Sequence, residues 1–354
     1  MQISSISILG LGLIGGSLAK SIKQYFPDIQ IFGFDTVAVL KQAEYLDAID
    51  DKLLSPLDAL NSDIIFLCMP VDYSLELFRL LIPRLKDSQI ISDVCSVKAV
   101  FADIWKQQNS KGIYIGGHPM TGKEKGGFEN SDPLLFENSV YILTSQNQPE
   151  FLNIINKIGA RITFLDPYLH DKVVSVVSHL PQLLSVSLVN FAGQNEGDVH
   201  YLNFAAGGFR DMTRIASSGF SIWDSIITYN RTNIINAADL FIAKLEELKN
   251  LLVNEKTLQI KNTFESARII RDEIPKTSKG FLFPLYEIYV YVKDEPGVVS
   301  KISTVLYSNG INIKDIELLK IREGAGGTFR LSFETEEDAK NAQQLVQTIG
   351  YSTK

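Results

Sequence analysis

Gly10-Leu11-Gly12-Leu13-Ile14-Gly15 has the GxGxxG spacing, and an acidic residue, Asp35, follows about 20 residues later. The spacing matches dinucleotide chemistry. The first glycine allows a tight turn, the second lets backbone approach a pyrophosphate, and the third brings helix against strand. Free N–H groups and the positive end of the helix dipole then face the phosphates. Asp35 is expected to accept hydrogen bonds from the adenosine ribose and to repel a 2′-phosphate. Thr36-Val37-Ala38 offers no arginine to neutralise one. NAD is therefore the expected cofactor, held by Gly10, Gly12, Leu13, Ile14, Gly15 and Asp35. A glycine-rich turn with no cofactor is the bland alternative; the strand before it and the acid after it argue against that.

Two further motifs, Asp93-Val94-Cys95-Ser96-Val97-Lys98 and Gly116-Gly117-His118-Pro119-Met120-Thr121-Gly122, lie where strands should end. Ligands of open α/β sheets sit beyond the carboxyl ends of strands, so both motifs should border the nicotinamide.

The elements that must position these groups are readable. Apolar segments at 3–9, 31–34, 63–69, 89–92, 112–117 and 139–144 alternate with helical patterns. Such alternation predicts right-handed crossovers and a parallel sheet covered on both faces. Residues 1–165 read as an α/β doubly wound, Rossmann-like domain. Asp166-Pro167 is an N-cap followed by proline at the first helical position. Residues 166–275 show helical periodicity and no convincing strand, which predicts an all-α second domain. Its segment Val173–Phe191 is apolar nearly all round and must be buried, in a core or in a subunit interface. Pro181 should kink it and free the carbonyl of Val177. Further helices are predicted over 232–253 and 255–273. Pro275–Gly280 reads as a linker. Residues 284–354 follow a βαββα(β) order with a turn at Asp294-Glu295-Pro296-Gly297, a helix end at Asn309-Gly310 and a hairpin turn at Gly324–Gly327. That order predicts a small ferredoxin-like α+β module.

With GLGLIGGS, DVCSVK and GHPMTG together, the chain resembles the prephenate and arogenate dehydrogenase family. Ser178-His179-Leu180-Pro181 and Gly207-Gly208-Phe209-Arg210-Asp211-Met212-Thr213-Arg214 fit that family's further motifs, in order. The Asp294–Gly297 turn with Ile311-Asn312-Ile313 resembles an ACT domain. The resemblance implies oxidative decarboxylation of a cyclohexadienol with NAD reduction, in tyrosine biosynthesis. It makes His118 the acceptor for the ring hydroxyl, a task suited to a neutral imidazole. Ser96 would hydrogen-bond His118, and would also suit the N-cap of a helix at Val97. Arg214 would grip a substrate carboxylate with its planar fork. His179 and Asp211 would form a pair shaping the substrate pocket. Lys98 could assist cofactor or substrate. The bland readings are a packed loop histidine for His118, a surface arginine for Arg214 and a satisfied core histidine for His179. Two departures stand out: Gln182 replaces the second histidine of His-Leu-Pro-His, and Cys95 replaces a glycine. The ACT resemblance implies L-tyrosine as effector, bound through Asp294, Gly297 and Asn312. Arogenate is the alternative substrate. A β-hydroxyacid dehydrogenase would need a GxxxKxxxN-type motif, which is absent. A non-catalytic amino-acid sensor would not need the intact glycines, Ser96 and His118.

Bulk properties narrow the partners. A net charge of −7 disfavours nucleic acid. Two cysteines allow at most one bridge and suggest a reducing cytoplasmic compartment. No signal peptide, membrane span, metal site or leading chorismate mutase segment is expected. The apolar Val173–Phe191 segment suggests a homodimer.

Overall fold

The computed structural model describes residues 3–123, 125–273, 285–322 and 326–354. The expected linker Pro275–Gly280 and part of the hairpin turn at Gly324–Gly327 lie outside the described residues. The chain forms two compact units, Met1–Ser266 and Ala267–Lys354.

The first unit begins with β1 (Ser5–Leu9), α1 (Leu13–Tyr25), β2 (Gln30–Phe34), α2 (Val37–Tyr45) and β3 (Asp51–Lys52). It continues with β4 (Ile64–Leu67), α3 (Val71–Leu81), β5 (Ile90–Asp93), α4 (Ala99–Gln107) and β6 (Ile113–Tyr114). The six strands form one parallel sheet in the order β3-β2-β1-β4-β5-β6. Successive side chains point to opposite faces. Ile6, Ile8, Ile64 and Phe66 therefore enter one core, and Leu9, Ile65, Leu67 and Ile91 the other. Both cores are closed by helices, which explains the continuous apolar strands. The strand order reverses at the β1/β4 junction, the place where such sheets bind ligands.

The chain then departs from the expected all-parallel pattern. β7 (Gly117–Pro119), β8 (Val140–Leu143) and β9 (Arg161–Phe164) form a separate three-stranded sheet, with α5 (Pro149–Lys157) between the last two. β7 is antiparallel to β8, and β8 is parallel to β9. Gly117 permits this path, since an added Cβ would stand 2.7 Å from the Asp93 carbonyl oxygen. The chain crosses the end of β5 there instead of extending β6. His118 consequently sits on a strand beside the end of β5.

The helical half contains α6 (Pro167–Val174), α7 (Leu180–Ala192), β10 (Asn195–Glu196), β11 (Val199–His200), α8 (Gly207–Thr213), α9 (Phe220–Tyr229), α10 (Arg231–Val253) and the start of α11 (Thr257–Asp272), whose last residues fall in the second unit. Asp166 caps α6, accepting from the N–H groups of Tyr168 at 2.9 Å and Leu169 at 3.3 Å. The kink expected from Pro181 takes the form of a π turn over Ser175–His179, immediately before α7. Wider turns of this kind let a helix pass a residue that cannot donate. The small β10/β11 hairpin corrects the expectation of no strand here. Its two-residue loop contains Gly197 at a φ of +57°, the conformation that tight hairpins favour.

The run Pro167–Ala192 is long and apolar enough to cross a membrane, with a mean hydropathy of 1.4 in its best window. No such span was expected from the sequence. His170, Asp171 and His179 within it are buried and hydrogen-bonded to the rest of the unit, although only 33% of that window is buried.

The second unit contains β12 (Tyr286–Val292), α12 (Val298–Ser308), β13 (Asp315–Arg322), β14 (Gly326–Phe333), α13 (Glu336–Thr348) and β15 (Ser352–Thr353). Its sheet is antiparallel, in the order β13-β14-β12-β15. Ile288, Val290, Ile302, Leu306, Leu331 and Phe333 make the core between sheet and helices. Gly310, at a φ of +72°, ends α12 as expected.

Candidate active site

The glycine-rich turn is built as its spacing requires. Gly10 adopts a φ of +98°, and a Cβ on Gly15 would stand 1.9 Å from the Gly10 carbonyl oxygen. A Cβ on Gly12 would meet nothing within 4 Å, so this glycine serves the open side of the turn. No side chain caps α1, and Leu13 and Ile14 form its first turn with backbone available to an anion. Asp35 is fixed by the N–H groups of Leu11 at 2.7 Å and Thr36 at 2.6 Å. A cavity of about 610 Å³ opens here, lined by Gly10, Gly12, Asp35, Met69, Tyr73 and Glu76 among others. An uncapped helix start, an open glycine and a fixed carboxylate at one cavity fit a dinucleotide. Tyr73 and Glu76 carried no sequence signal, because a helix facing a cavity has no fixed motif.

The 93–98 loop is tied from within. Asp93 is fully buried and accepts from the Lys98 ammonium, from the Tyr114 hydroxyl at 2.8 Å and from the Cys95 N–H at 3.0 Å. Lys98, also fully buried, is engaged in this pair and holds the loop. Burial and the Asp93 charge push the Cys95 thiol up to about 12, and burial raises Cys68 as well. Both sulfurs are therefore protonated thiols, free of any disulfide.

His118 meets a partner that the sequence did not suggest. Its Nδ1 lies 2.8 Å from Nε2 of His170, whose Nδ1 lies 2.8 Å from Oδ1 of Asp171. The Asp171 carboxylate also accepts from the backbone N–H groups of Lys98 at 2.7 Å and Ala99 at 3.0 Å. It thus caps α4 from 72 residues away in sequence. This corrects the expectations for Ser96. The helix begins at Ala99, so Ser96 is not its cap, and among the described residues its hydroxyl makes no hydrogen bond to His118. Burial holds His118 well below the usual histidine range, with the charge of Lys98 and the two neighbouring histidines acting in the same direction. Burial also lowers His170, against the pull of Asp171. Both rings are neutral at physiological pH. His118 keeps a half-exposed edge, and its Nε2 makes no hydrogen bond to the described residues.

His179 is buried beside the same cluster, and burial lowers its pKa to about 4. The expected pairing with Asp211 is not formed. Asn230 takes that place, 3.1 Å from His179 Nδ1, while its amide also donates to the Asp171 carbonyl oxygen at 2.8 Å. Asn233 donates to the Asn230 side-chain oxygen at 2.8 Å, which fixes the amide orientation. His179 Nδ1 is thus an acceptor, and Nε2 carries the proton. That N–H is buried with no partner among the described residues, and Trp223 packs edge-on against the ring. Asp211 and Arg214 are exposed on α8 and the short turn that follows. His170 and Asp171 had one signal in the sequence: an adjacent titratable pair one turn after a strong N-cap, in an otherwise apolar helix. Asn230 and Trp223 had none.

The family description "Prephenate dehydrogenase, nucleotide-binding domain" matches residues 18–163, "Prephenate dehydrogenase, dimerization domain" matches 166–266, and "ACT domain" matches 286–350. A prephenate dehydrogenase of Bacillus subtilis is 34% identical over 97% of this chain and 95% of its own length. This chain belongs to the prephenate dehydrogenase family. Among solved structures, prephenate dehydrogenase from Aquifex aeolicus in complex with hydroxyphenyl propionate and NAD+ is 29% identical. It covers 78% of this chain and 99% of its own, with a TM-score of 0.70. Synechocystis arogenate dehydrogenase is also 29% identical, covering 77% and 100%, with a TM-score of 0.68.

Two predictions follow from the geometry. Gly15→Ala forces backbone apart and should cost about 1–3 kcal/mol or more of stability. Gly12→Ala should keep the parent melting temperature and lose dinucleotide binding by calorimetry. Equal melting temperatures for both variants would contradict this account. The second concerns acid. An unfolded histidine titrates near 6.5, and folded His179 near 4, so the unfolded chain binds the extra proton in between. Stability is complete above about pH 6.5 and falls as pH drops towards 4, by roughly 3 kcal/mol for this group. The urea midpoint should decline over that window, less steeply in His179→Asn. A flat midpoint from pH 7 to 5 would refute it.

Proposed function

We propose that this protein catalyses the NAD-dependent oxidative decarboxylation of prephenate to 4-hydroxyphenylpyruvate. The observation that carries this reading is a neutral His118 with Nε2 unengaged, on a strand crossing the end of β5 beside a dinucleotide cradle. Bound NAD+ supplies the acceptor for the hydride leaving the ring carbon that bears the hydroxyl. His118 Nε2 takes the hydroxyl proton as that carbon becomes a carbonyl. Loss of the ring carboxylate as CO₂ then returns its electron pair to the ring, and His118 gives the proton back to the phenolic oxygen. The residues Gly10, Gly12, Leu13, Ile14 and Gly15 would hold the pyrophosphate, and Asp35 the adenosine ribose, with NAD preferred to NADP by charge. The unpaired N–H of His179 offers a donor to a substrate oxygen, and Arg214 is assigned a substrate carboxylate. Ser96, half-buried in the loop after β5, remains available to substrate or nicotinamide. Asp211 is assigned to the pocket rim.

We further propose a homodimer formed through the helical half. Phe191, Phe220, Ile222 and Leu240 are each about 70% exposed, and Val176 and Val177 lie bare on the π turn. Large apolar side chains left in water on these helices favour a surface that a partner covers. The domain boundaries near 165 and 275–284 are proposed on the same footing.

L-Tyrosine is the effector we propose for the second unit. A cavity of about 350 Å³ is lined there by Asp294, Gly297, Val298, Ser300, Leu318 and Phe329, among others. Gly297, at a φ of +88°, starts α12 with no side-chain cap, leaving helix N–H groups for a carboxylate. Phe329 and Leu318 offer apolar contact to a ring. Asn312 is exposed and lies outside the cavity lining, so the expectation that it reaches the turn is set aside in favour of Ser300.

The decisive assay is NADH formation with prephenate and with arogenate, each with NAD+ and NADP+. Prephenate with NAD+ should be fastest. His118→Asn should retain NAD+ binding and lose about 10²–10⁴ in kcat. A His118→Asn enzyme of parental kcat would remove the mechanism. A chain ended near Lys279 should stay active and escape tyrosine inhibition, with a coupling of about 1–3 kcal/mol abolished. Tyrosine inhibiting both forms equally would sink the regulatory assignment.

A further inference from the structure

We infer that Asp171 and His170 are positioning residues that set the tautomer of His118 and leave its Nε2 as the proton acceptor. The inference rests on the proposed role of His118. One group in the chain, the carboxylate, has an unambiguous role. An ionised carboxylate only accepts. Asp171 is held in place by the backbone N–H groups of Lys98 and Ala99, and its Oδ1 is 2.8 Å from His170 Nδ1. His170 must therefore carry its proton on Nδ1. His170 is fully buried and neutral, so its Nε2 holds a lone pair. That lone pair faces His118 Nδ1 at 2.8 Å, and the contact requires a proton on the His118 side. A neutral His118 protonated at Nδ1 has its lone pair on Nε2, the nitrogen with no described protein partner. Each proton in the chain points towards Asp171.

The charged groups around the chain leave this order undisturbed. Lys98 is spent on Asp93, and the Tyr114 hydroxyl donates to the same carboxylate. Asp171 also binds the helical half together, since its carbonyl accepts from Asn230, which in turn holds His179. The same short segment thus sets the His118 tautomer and, together with Asn233, helps orient the amide that sets that of His179. When His118 takes a proton at Nε2, the positive charge forms on a ring whose other N–H is already directed along the chain to a carboxylate. That stabilisation exists only while the proton is transferred, which is the kind that raises kcat.

The chain has four histidines, so ¹⁵N-histidine spectra of the full-length protein can be assigned by single variants. In the resting protein, without substrate, His118 and His170 should each show a protonated Nδ1 and an unprotonated Nε2. A protonated Nε2 on His118 would overturn the inference. His170→Phe removes the acceptor. It should mix the His118 tautomers and lower kcat about 10–10²-fold, with the KM for NAD+ unchanged. His170→Gln, whose side-chain oxygen can still accept from His118 Nδ1, should recover much of that loss and restore the resting tautomer. Full kcat in His170→Phe, or no recovery in a folded His170→Gln, would refute the positioning role. Absent prephenate turnover in the parent would strike only the functional reading, because the tautomers are measured without substrate.

Discussion

The Asp171 carboxylate joins the two halves of the first unit. One oxygen takes the Lys98 N–H and His170 Nδ1, and the other takes the Ala99 N–H. These contacts fix where α4 starts, how α6 lies against the sheet, and where His170 stands beside His118. Hydrogen bonds to a charged acceptor contribute about 1.5–3 kcal/mol each, and a buried charge left without them is costly. A second carboxylate, Asp72 at the start of α3, repeats the device against the Ser225 and Tyr229 hydroxyls of α9. Two polar clamps thus hold the dinucleotide and helical halves as one unit.

The electrostatics of the site follow from burial. Asp93 and Lys98 cancel each other inside the protein, with Tyr114 and the Cys95 N–H completing the shell around the carboxylate. Asp171 is left as the fixed charge behind His170. The three histidines of the cluster all remain neutral because a charge there would lose water without a sufficient partner. An anionic substrate therefore meets neutral donors and acceptors at the reacting end. Attraction must come from groups farther out, the part proposed above for the exposed Arg214.

The parts of this arrangement that were legible in the sequence are those with local causes. The glycine turn, the Asp166 cap, the proline irregularity and the βαββα order each depend on residues a few positions apart. The antiparallel β7 was not legible, because it depends on Gly117 crossing the Asp93 carbonyl, a contact between distant segments. Ser96 was assigned a cap by local propensity, and the tertiary carboxylate of Asp171 overrode it. His179 was paired with Asp211 by motif order, whereas packing delivered Asn230 from the end of α9. Motifs name which residues converge, and only packing decides which atoms touch.

A base with a depressed pKa raises an apparent conflict. Burial favours the deprotonated form of His118, yet a weak base accepts a proton poorly. The chain through His170 to Asp171 resolves it, because its hydrogen bond to His118 is modest while the ring is neutral and strengthens as the ring gains charge. Burial then ensures that the proton is not kept. The reaction needs that property: the proton lifted from the ring alcohol is wanted again on the phenolic oxygen after CO₂ leaves. A stronger base would begin the oxidation more easily and hold the proton at its end. Preorganised dipoles aimed at a transient charge serve both directions of transfer. The histidine pair and its carboxylate are thus suited to lending a proton within one turnover, with no exchange with bulk water required.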